Sequence, residues 1–139
     1  MRFAGRLMNA GRLWIAEVPL LGLVQKSPTK KGACRMVAQA IESLVGREDF
    51  TVQVYPGRGN DFEIGSADIA ALGAVLLRRQ RLLSGLSLRE AAARLGSASW
   101  NAYARYEQGA SIPSLAKFFQ LLDAVSPQQG FLLVKSGSG

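Results

Sequence analysis

Near the start of the chain, apolar and polar side chains alternate in short stretches. Residues 12–18 alternate after a turn at residues 9–11, which predicts a hairpin with the preceding residues 2–8. Pro19 interrupts this pattern, and residues 23–25 can form a further short strand. The first part of the chain therefore predicts three consecutive strands.

A helical spacing follows between residues 30 and 45, where apolar side chains recur at intervals of three and four. Ser27 or Thr29 can cap the start of this helix, because both are hydroxyl residues next to the first helical position. Gly46 is suited to end it. One face of the helix is predicted to be buried and the other to be solvated.

Beyond this helix, residues 50–55 alternate again, and residues 62–64 offer one more strand. Residues 1–65 are therefore predicted to form a small β-β-β-α-β domain, with a fifth strand left open. The composition changes near residue 65, and the spacing is then helical as far as the tail. Residues 69–135 are assigned to a second, all-α domain, so the fold class is α+β.

Two short helices joined by a turn stand in the middle of the second domain. Ser87 and Glu90 have the spacing of a capping box at the start of the first helix, and Gly96 is suited to end it. The second helix begins near Trp100 and ends before Gly109. This arrangement is typical of the helix-turn-helix, in which the second helix enters the major groove of DNA.

The second of these helices carries side chains that can read base edges. Asn101 and Arg105 are four residues apart and share one helix face, with Ser97 and Ser99 at the start. Asn can pair with adenine and Arg with guanine. The alternative is that Asn101 only caps the helix and Arg105 is solvated. Trp100 either faces DNA or packs against the first helix of the domain.

The charge balance agrees with a nucleic-acid partner. The chain has 17 basic and 10 acidic residues, a net charge of +7 and no histidine, and an excess of cations suits binding to phosphate. Candidates for phosphate contacts, for which a solvated face is the alternative, are Arg78, Arg79, Arg89 and Arg94.

The composition also argues against several other classes of protein. Without histidine, most hydrolase mechanisms lack their usual general base, so no enzyme activity is expected. Cys34 is the single cysteine, and no Cys/His cluster is available for zinc, so neither a metal nor another cofactor is expected. The apolar residues 13–24 are interrupted by Glu17 and Pro19 and are too few to span a membrane. We therefore expect a cytoplasmic protein.

Two stretches of the sequence resemble known families. Residues 71–125 resemble Xre-type (phage repressor) helix-turn-helix domains through Arg81, the Gly-Leu-Ser of residues 85–87 and the Tyr-Glu-Gln-Gly of residues 106–109 followed by Pro113. Residues 1–65 resemble the HicB antitoxin domain through the run WIAEVPLLGLVQ at residues 14–25 and the helix that follows it. The two modules in this order resemble HicB antitoxins.

This resemblance implies a function for each domain. The first would be a partial RNase H-like domain that binds and blocks a HicA-like toxin, a small mRNA interferase. The second would bind operator DNA and repress the operon. Arg81 and Glu107 correspond to a structural ion pair of the helix-turn-helix family, which sets orientation more than it adds stability.

A hydrophobic loop of the first domain is a candidate for toxin binding. Pro19, Leu20 and Leu21 lie between predicted strands, and their side chains are either core residues or an exposed patch. If they are exposed, they form with Trp14 a hydrophobic centre for an interface with the toxin.

The tail suggests an assembly. An apolar, strand-like run of four residues follows the last helix and is too short to be stable alone; it consists of Phe131, Leu132, Leu133 and Val134. We expect this run to pair with its copy across a two-fold axis, giving a homodimer or higher oligomer. The alternative is that it docks within one chain.

Two other functions remain open from the sequence. One is a stand-alone helix-turn-helix transcription regulator whose first domain senses a ligand or dimerises. The other is a degenerate nuclease, which would require metal-dependent cleavage.

Overall fold

A computed structural model of the chain describes residues 1–96 and 100–136. Within these residues the chain divides into two compact units, Met1–Leu72 with Ser136, and Gly73–Lys135. The sequence-based domain boundary lies between residues 65 and 69, and the division between the units falls a few residues later, inside a helix. None of the helices in the described part of the chain is long and apolar enough to cross a membrane.

Residues 1–72, all of which are described, contain a five-stranded antiparallel sheet with β1 at its centre, in the order β3-β2-β1-β5-β4. The fifth strand that the sequence left open is therefore present. The elements are β1 (Arg2–Ala10), β2 (Leu13–Val18), a short 3₁₀ turn (Pro19–Leu21), β3 (Leu23–Ser27), α1 (Lys30–Val45), β4 (Gln53–Pro56) and β5 (Asp61–Gly65).

Helix α1 packs on one face of this sheet and forms the core of the unit with it. The helix covers the residues that the spacing predicts, and Thr29 caps it by accepting the backbone N–H of Gly32 at 2.9 Å. Strand pairing places alternate residues on the same face, so that this face is buried. The buried side chains include Phe3, Leu7, Ala16, Val18, Phe62 and Ile64 from the strands and Val37, Ala38 and Ile41 from α1.

Gly5 is required where β1 pairs with β5. It lies opposite Phe62 in the strand register. A Cβ at residue 5 would overlap the Phe62 ring. The glycine therefore lets a large aromatic side chain lie across the central strand and fill the core.

The alternation at residues 50–55 does not give one continuous strand. Strand β4 begins only at Gln53, although Phe50 and Val52 are buried. The backbone N–H of Val52 donates to the Glu42 carboxylate at 3.4 Å instead of to a neighbouring strand. The alternation thus identified Phe50 and Val52 as buried. It did not identify the partner of the Val52 N–H, which is a side chain of α1 and not a strand.

Helices follow in the described residues from Ile69 to Val125, as the spacing predicts. Ser87 and Glu90 form the complete capping box at α3, and Ser114 caps α5 by accepting the N–H of Lys117. The core of the second unit includes Val75, Leu76, Leu77, Ala91, Ala92, Tyr103, Leu121, Leu122 and Val125. The helices are α2 (Ile69–Leu83), α3 (Leu88–Arg94), α4 (Trp100–Glu107) and α5 (Leu115–Val125).

The tail is not a strand in the single chain. Residues 130–134, which are all described, form neither helix nor strand. Leu132, Leu133 and Val134 are 89%, 87% and 81% exposed, and Phe131 is half-buried. The last three apolar side chains of this run are therefore open to solvent in the single chain.

Candidate nucleic-acid interface

Helices α3 and α4 pack against each other and form the helix-turn-helix. Ala91 and Ala92 of α3 are 0% and 2% exposed, and such small side chains allow two helix backbones to approach closely. The loop before α3 places Leu86 in the core. Local sequence features, namely the capping box and the alanines, therefore fix the first helix beneath the second.

An ion pair between Arg81 and Glu107 holds α4 to the end of α2. Arg81 Nε donates to Glu107 Oε2 at 2.6 Å and Nη2 donates to Oε1 at 3.1 Å. Arg81 Nη1 also donates to the carbonyl of Leu86 at 2.8 Å. The two side chains are only 11% and 5% exposed. The hydrogen bond with Glu107 raises the pKa of Arg81, and this bidentate, largely buried pair fixes the orientation of α4.

The inner face of α4 is closed by an aromatic side chain. Tyr103 is 1% exposed, and burial raises the pKa of its hydroxyl well above the usual value. The neighbouring Glu107 carboxylate raises this pKa further. Tyr106 is half-buried. Both tyrosines thus contribute packing, which leaves the opposite face of α4 to the solvent.

That opposite face carries the side chains that the sequence assigned to base reading. Asn101 and Arg105 are exposed, and Trp100 is 41% exposed. The sequence left open whether Trp100 faces DNA or packs against the first helix of the domain. In the structure its ring is partly open to solvent. Ser97 and Ser99 lie outside the described residues. The exposed set can offer amide and guanidinium donors to base edges.

The four arginines proposed for phosphate contacts have different surroundings. Arg78 and Arg89 are exposed, and Arg79 is half-buried. Arg94 is exposed, but its Nη1 donates to the carbonyl of Ala124 at 3.2 Å near the end of α5. Arg94 therefore contributes to the C-terminal end of a helix, while Arg78 and Arg89 present their charge to the solvent.

In the first unit, the residues assigned to toxin binding do not form one exposed patch. Leu21 is fully buried, because the 3₁₀ turn directs its side chain into the core, so the core alternative applies to it. Leu20 is half-buried and Pro19 is exposed. Trp14 is half-buried, with the Lys30 ammonium 4.6 Å from its ring centroid. The candidate surface is thus reduced to Trp14, Pro19 and Leu20.

Sequence reasoning missed an apolar group on the sheet face opposite α1. Met8, Leu13 and Val24 occupy this face and are 40%, 40% and 50% exposed. Their signal was present in the alternation, because the positions between buried strand residues point to the other face. Exposed apolar side chains in a group are typical of protein-binding surfaces.

The comparisons with known proteins agree with the geometry of the second unit. Neither the curated proteins nor the solved structures contain a match to the chain. A family model described as HTH_3, helix-turn-helix, matches residues 77–125, from α2 to the end of α5. Residues 77–125 are therefore a helix-turn-helix domain of the Xre type, and the protein carries the DNA-binding domain of a transcription regulator.

Proposed function

We propose that this protein is an antitoxin and autorepressor. Its first unit binds and neutralises a HicA-like mRNA interferase, and its helix-turn-helix represses the operon by sequence-specific DNA binding. The proposal places the protein in the cytoplasm, together with its operator. It includes no catalytic step and no cofactor.

One observation carries the DNA-binding half of this proposal. Helix α4 is fixed on its inner face by Tyr103 and by the buried Arg81–Glu107 pair, and it presents Asn101 and Arg105 outward. A recognition helix must be rigidly oriented, because base-edge contacts require defined distances and angles. The exposed Arg89 supplies a cation for the DNA backbone.

The antitoxin half is supported by the first unit. Residues 14–25 resemble the HicB domain, and this unit combines a sheet with the half-buried Trp14 and the exposed Pro19. The second sheet face adds Met8, Leu13 and Val24 as exposed apolar side chains. The same face carries Arg6, Glu17 and Lys26, and apolar side chains among polar ones are found at protein interfaces.

The tail supports a homodimer. Leu132, Leu133 and Val134 are exposed in a single chain, and pairing of this run with its copy would bury them. A two-fold dimer would present two recognition helices to a palindromic operator. Deletion of residues 130–134 is expected to convert the dimer to a monomer, which is measured as mass in solution. An unchanged mass would contradict this role of the tail.

The DNA-binding half is tested with duplexes selected from a random-sequence library by the full-length protein. Asn101→Ala and Arg105→Ala are each expected to weaken binding by about 1–3 kcal/mol and to remove the preference at one base pair. Arg89→Ala should weaken binding to all sequences and lower the salt dependence by about one phosphate contact. Arg58→Ala, an exposed cation in the other unit, is the matched control.

The antitoxin half is tested by co-expression with the product of the neighbouring reading frame. We expect capture of that product and rescue of growth. Leu13→Glu, on the open sheet face, should reduce capture, whereas Gln39→Glu on the exposed face of α1 should not. If no product of a neighbouring frame is toxic or captured, the protein is a stand-alone regulator whose first unit senses a ligand or dimerises.

A further inference from the structure

The chain reverses its direction at the end of the recognition helix. Gly109 has a φ of 72°, in the left-handed region. Its N–H donates to the carbonyl of Tyr106 at 3.2 Å, and the N–H of Ala110 donates to the carbonyl of Arg105 at 2.9 Å. These two bonds define a Schellman motif, which favours glycine at the left-handed position. The residues that follow are thereby brought back alongside the last turn of α4.

This reversal places Ser111 against the side chain of Arg105. The N–H of Ser111 donates to the Arg105 carbonyl at 3.2 Å. In the other direction, Arg105 Nε donates to Ser111 Oγ at 3.2 Å. Ser111 is half-buried, while Arg105 is exposed. The loop thus holds the exposed arginine through both its backbone and its side chain.

The hydrogen bond to Ser111 selects which edge of the guanidinium can meet DNA. A guanidinium can form a bidentate contact either with its two terminal amino groups or with Nε and one of them. Because Ser111 occupies Nε, the two terminal amino groups are the pair that remains. A free arginine would have to order several torsions on binding, whereas this one is already restrained near the guanidinium.

We propose that Ser111 is a positioning residue that sets Arg105 for an end-on bidentate contact with O6 and N7 of a guanine. This inference rests on the proposed DNA-binding function and extends it to a residue outside the recognition helix. It predicts that the Ser111 hydroxyl affects the choice of base at one position of the operator and not the general affinity for DNA.

The experiment uses the full-length protein and a duplex that this protein selects from a random-sequence library. Ser111→Ala is expected to weaken binding about threefold to tenfold, the effect of one hydrogen bond. The loss should disappear on duplexes in which the guanine read by Arg105 is replaced. Ser84→Ala, at an exposed loop serine of the same unit, should bind like the unchanged protein.

Two further comparisons separate positioning from folding. Ser111→Thr keeps the hydroxyl and should retain the base preference. Ser111→Val has nearly the shape of the threonine variant but no hydroxyl, and it should lose the base preference. Ser111→Ala combined with Arg105→Ala should be no weaker than Arg105→Ala alone, because the serine acts through the arginine. Thermal unfolding followed by circular dichroism should show that all variants are folded.

The possible failures are distinguishable. If Arg105→Ala removes the guanine preference while Ser111→Ala and Ser111→Val do not, the positioning role is wrong and the DNA-binding function stands. If Ser111→Ala weakens binding equally on every sequence, the serine orients a phosphate contact and the inference is overturned. If Arg105→Ala has no effect on any duplex, both the base-reading role of Arg105 and the inference are wrong.

Discussion

The two units of this protein are built by different means. In the sheet unit, alternate strand residues pack beneath α1, and the core is formed by many apolar side chains. In the helical unit, local features such as the Ser87–Glu90 capping box and the left-handed Gly109 delimit short helices, and the Arg81–Glu107 pair holds α4. A capping box or a left-handed glycine can be recognised from a few neighbouring residues. The helix-turn-helix can therefore be identified from the sequence more readily than the function of the sheet unit.

The ion pairs of the two units differ in the same way. The Arg81–Glu107 pair of the helical unit is 11% and 5% exposed. In the sheet unit, the Arg2–Glu63 pair is 38% and 31% exposed. A buried pair resists the loss of either partner, because the other is left charged in a poorly solvated site, whereas an exposed pair is replaced by water. The Arg81–Glu107 pair is therefore expected to matter for the stability of its unit, and the Arg2–Glu63 pair is expected to contribute little.

The largest expected effect is the removal of one partner of the buried pair. Glu107→Ala should lower the free energy of unfolding by roughly 3–5 kcal/mol, because Arg81 then keeps a buried charge without a counter-charge. Urea unfolding followed by circular dichroism measures this. DNA binding should also be lost, since α4 is no longer held in its orientation.

A double replacement is the control for this prediction. Arg81→Met combined with Glu107→Leu removes both charges and should recover much of the lost stability. If the double variant is as unstable as Glu107→Ala, the contribution of the pair does not come from an uncompensated charge. The difference between the buried and the exposed ion pair would then not come from the desolvation of the charges.

The next effect belongs to the sheet unit and tests the assignment of Leu21 to the core. Leu21→Ala should lower the free energy of unfolding by roughly 2–5 kcal/mol, because Leu21 is fully buried and the truncation leaves a cavity. Leu20→Ala, at the half-buried neighbour, is the matched control and should cost less. Equal costs at the two positions would contradict the difference in burial.

The secondary structure of both units was largely accessible from the sequence. Helix α1 has the bounds that its apolar spacing predicts, and Ser87 with Glu90 forms the capping box. These features depend on neighbouring residues, which a sequence displays directly. Strand β4 is shorter than the strand predicted at residues 50–55, and the backbone N–H of Val52 donates to the side chain of Glu42 on α1, a contact that the alternation does not indicate.

The candidate site was accessible only in part, for the same reason. The spacing of Asn101 and Arg105 indicates one exposed face of α4, and both are exposed. Two hydrogen bonds, from Arg94 to Ala124 and from Arg105 to Ser111, depend on the tertiary arrangement of helices and loops. No periodicity in the sequence indicates such contacts, so the sequence could not separate Arg94 from Arg89 as phosphate candidates.

A smaller effect is expected at the start of α2, where Asp68 is the helix cap. Asp68 Oδ1 accepts the N–H of Ala71 at 2.9 Å, and Arg47 Nη2 donates to Oδ2 at 2.7 Å. Asp68→Ala should therefore cost about 1 kcal/mol. Asp68→Asn should cost less at neutral pH, because an asparagine side chain can also cap a helix.

The dependence of this cap on pH follows from the pKa of Asp68. The Ala71 N–H, and after it the Arg47 guanidinium, hold the pKa of Asp68 below its ordinary value of 3.8. The charged cap therefore stabilises the fold above that value, and its contribution is lost as the pH falls through the folded pKa. Acid unfolding should show the advantage of the unchanged protein over Asp68→Asn narrowing below about pH 4. A constant difference would contradict the pKa shift.

The smallest effect is expected at the exposed pair of the sheet unit, Arg2 and Glu63. Arg2 Nη1 lies 3.1 Å from Glu63 Oε1, and the guanidinium also lies 3.5 Å from the ring centroid of Tyr55. In a double-mutant cycle with Arg2→Ala and Glu63→Gln, the Tyr55 contact is lost in both arms that lack Arg2, so it cancels to a good approximation. The coupling energy should be about 0.2–1 kcal/mol and should fall as salt is added.

This cycle is most informative beside the same cycle at Arg81 and Glu107. Both pairs join an arginine to a glutamate at hydrogen-bonding distance, and they differ in burial and in the number of hydrogen bonds, two for Arg81–Glu107 and one for Arg2–Glu63. Salt should reduce the coupling at Arg2–Glu63 and leave that at Arg81–Glu107 nearly unchanged, because ions screen charges that they can approach. If salt reduces both couplings equally, the buried pair is solvated in solution, and α4 is then held chiefly by the packing of Tyr103.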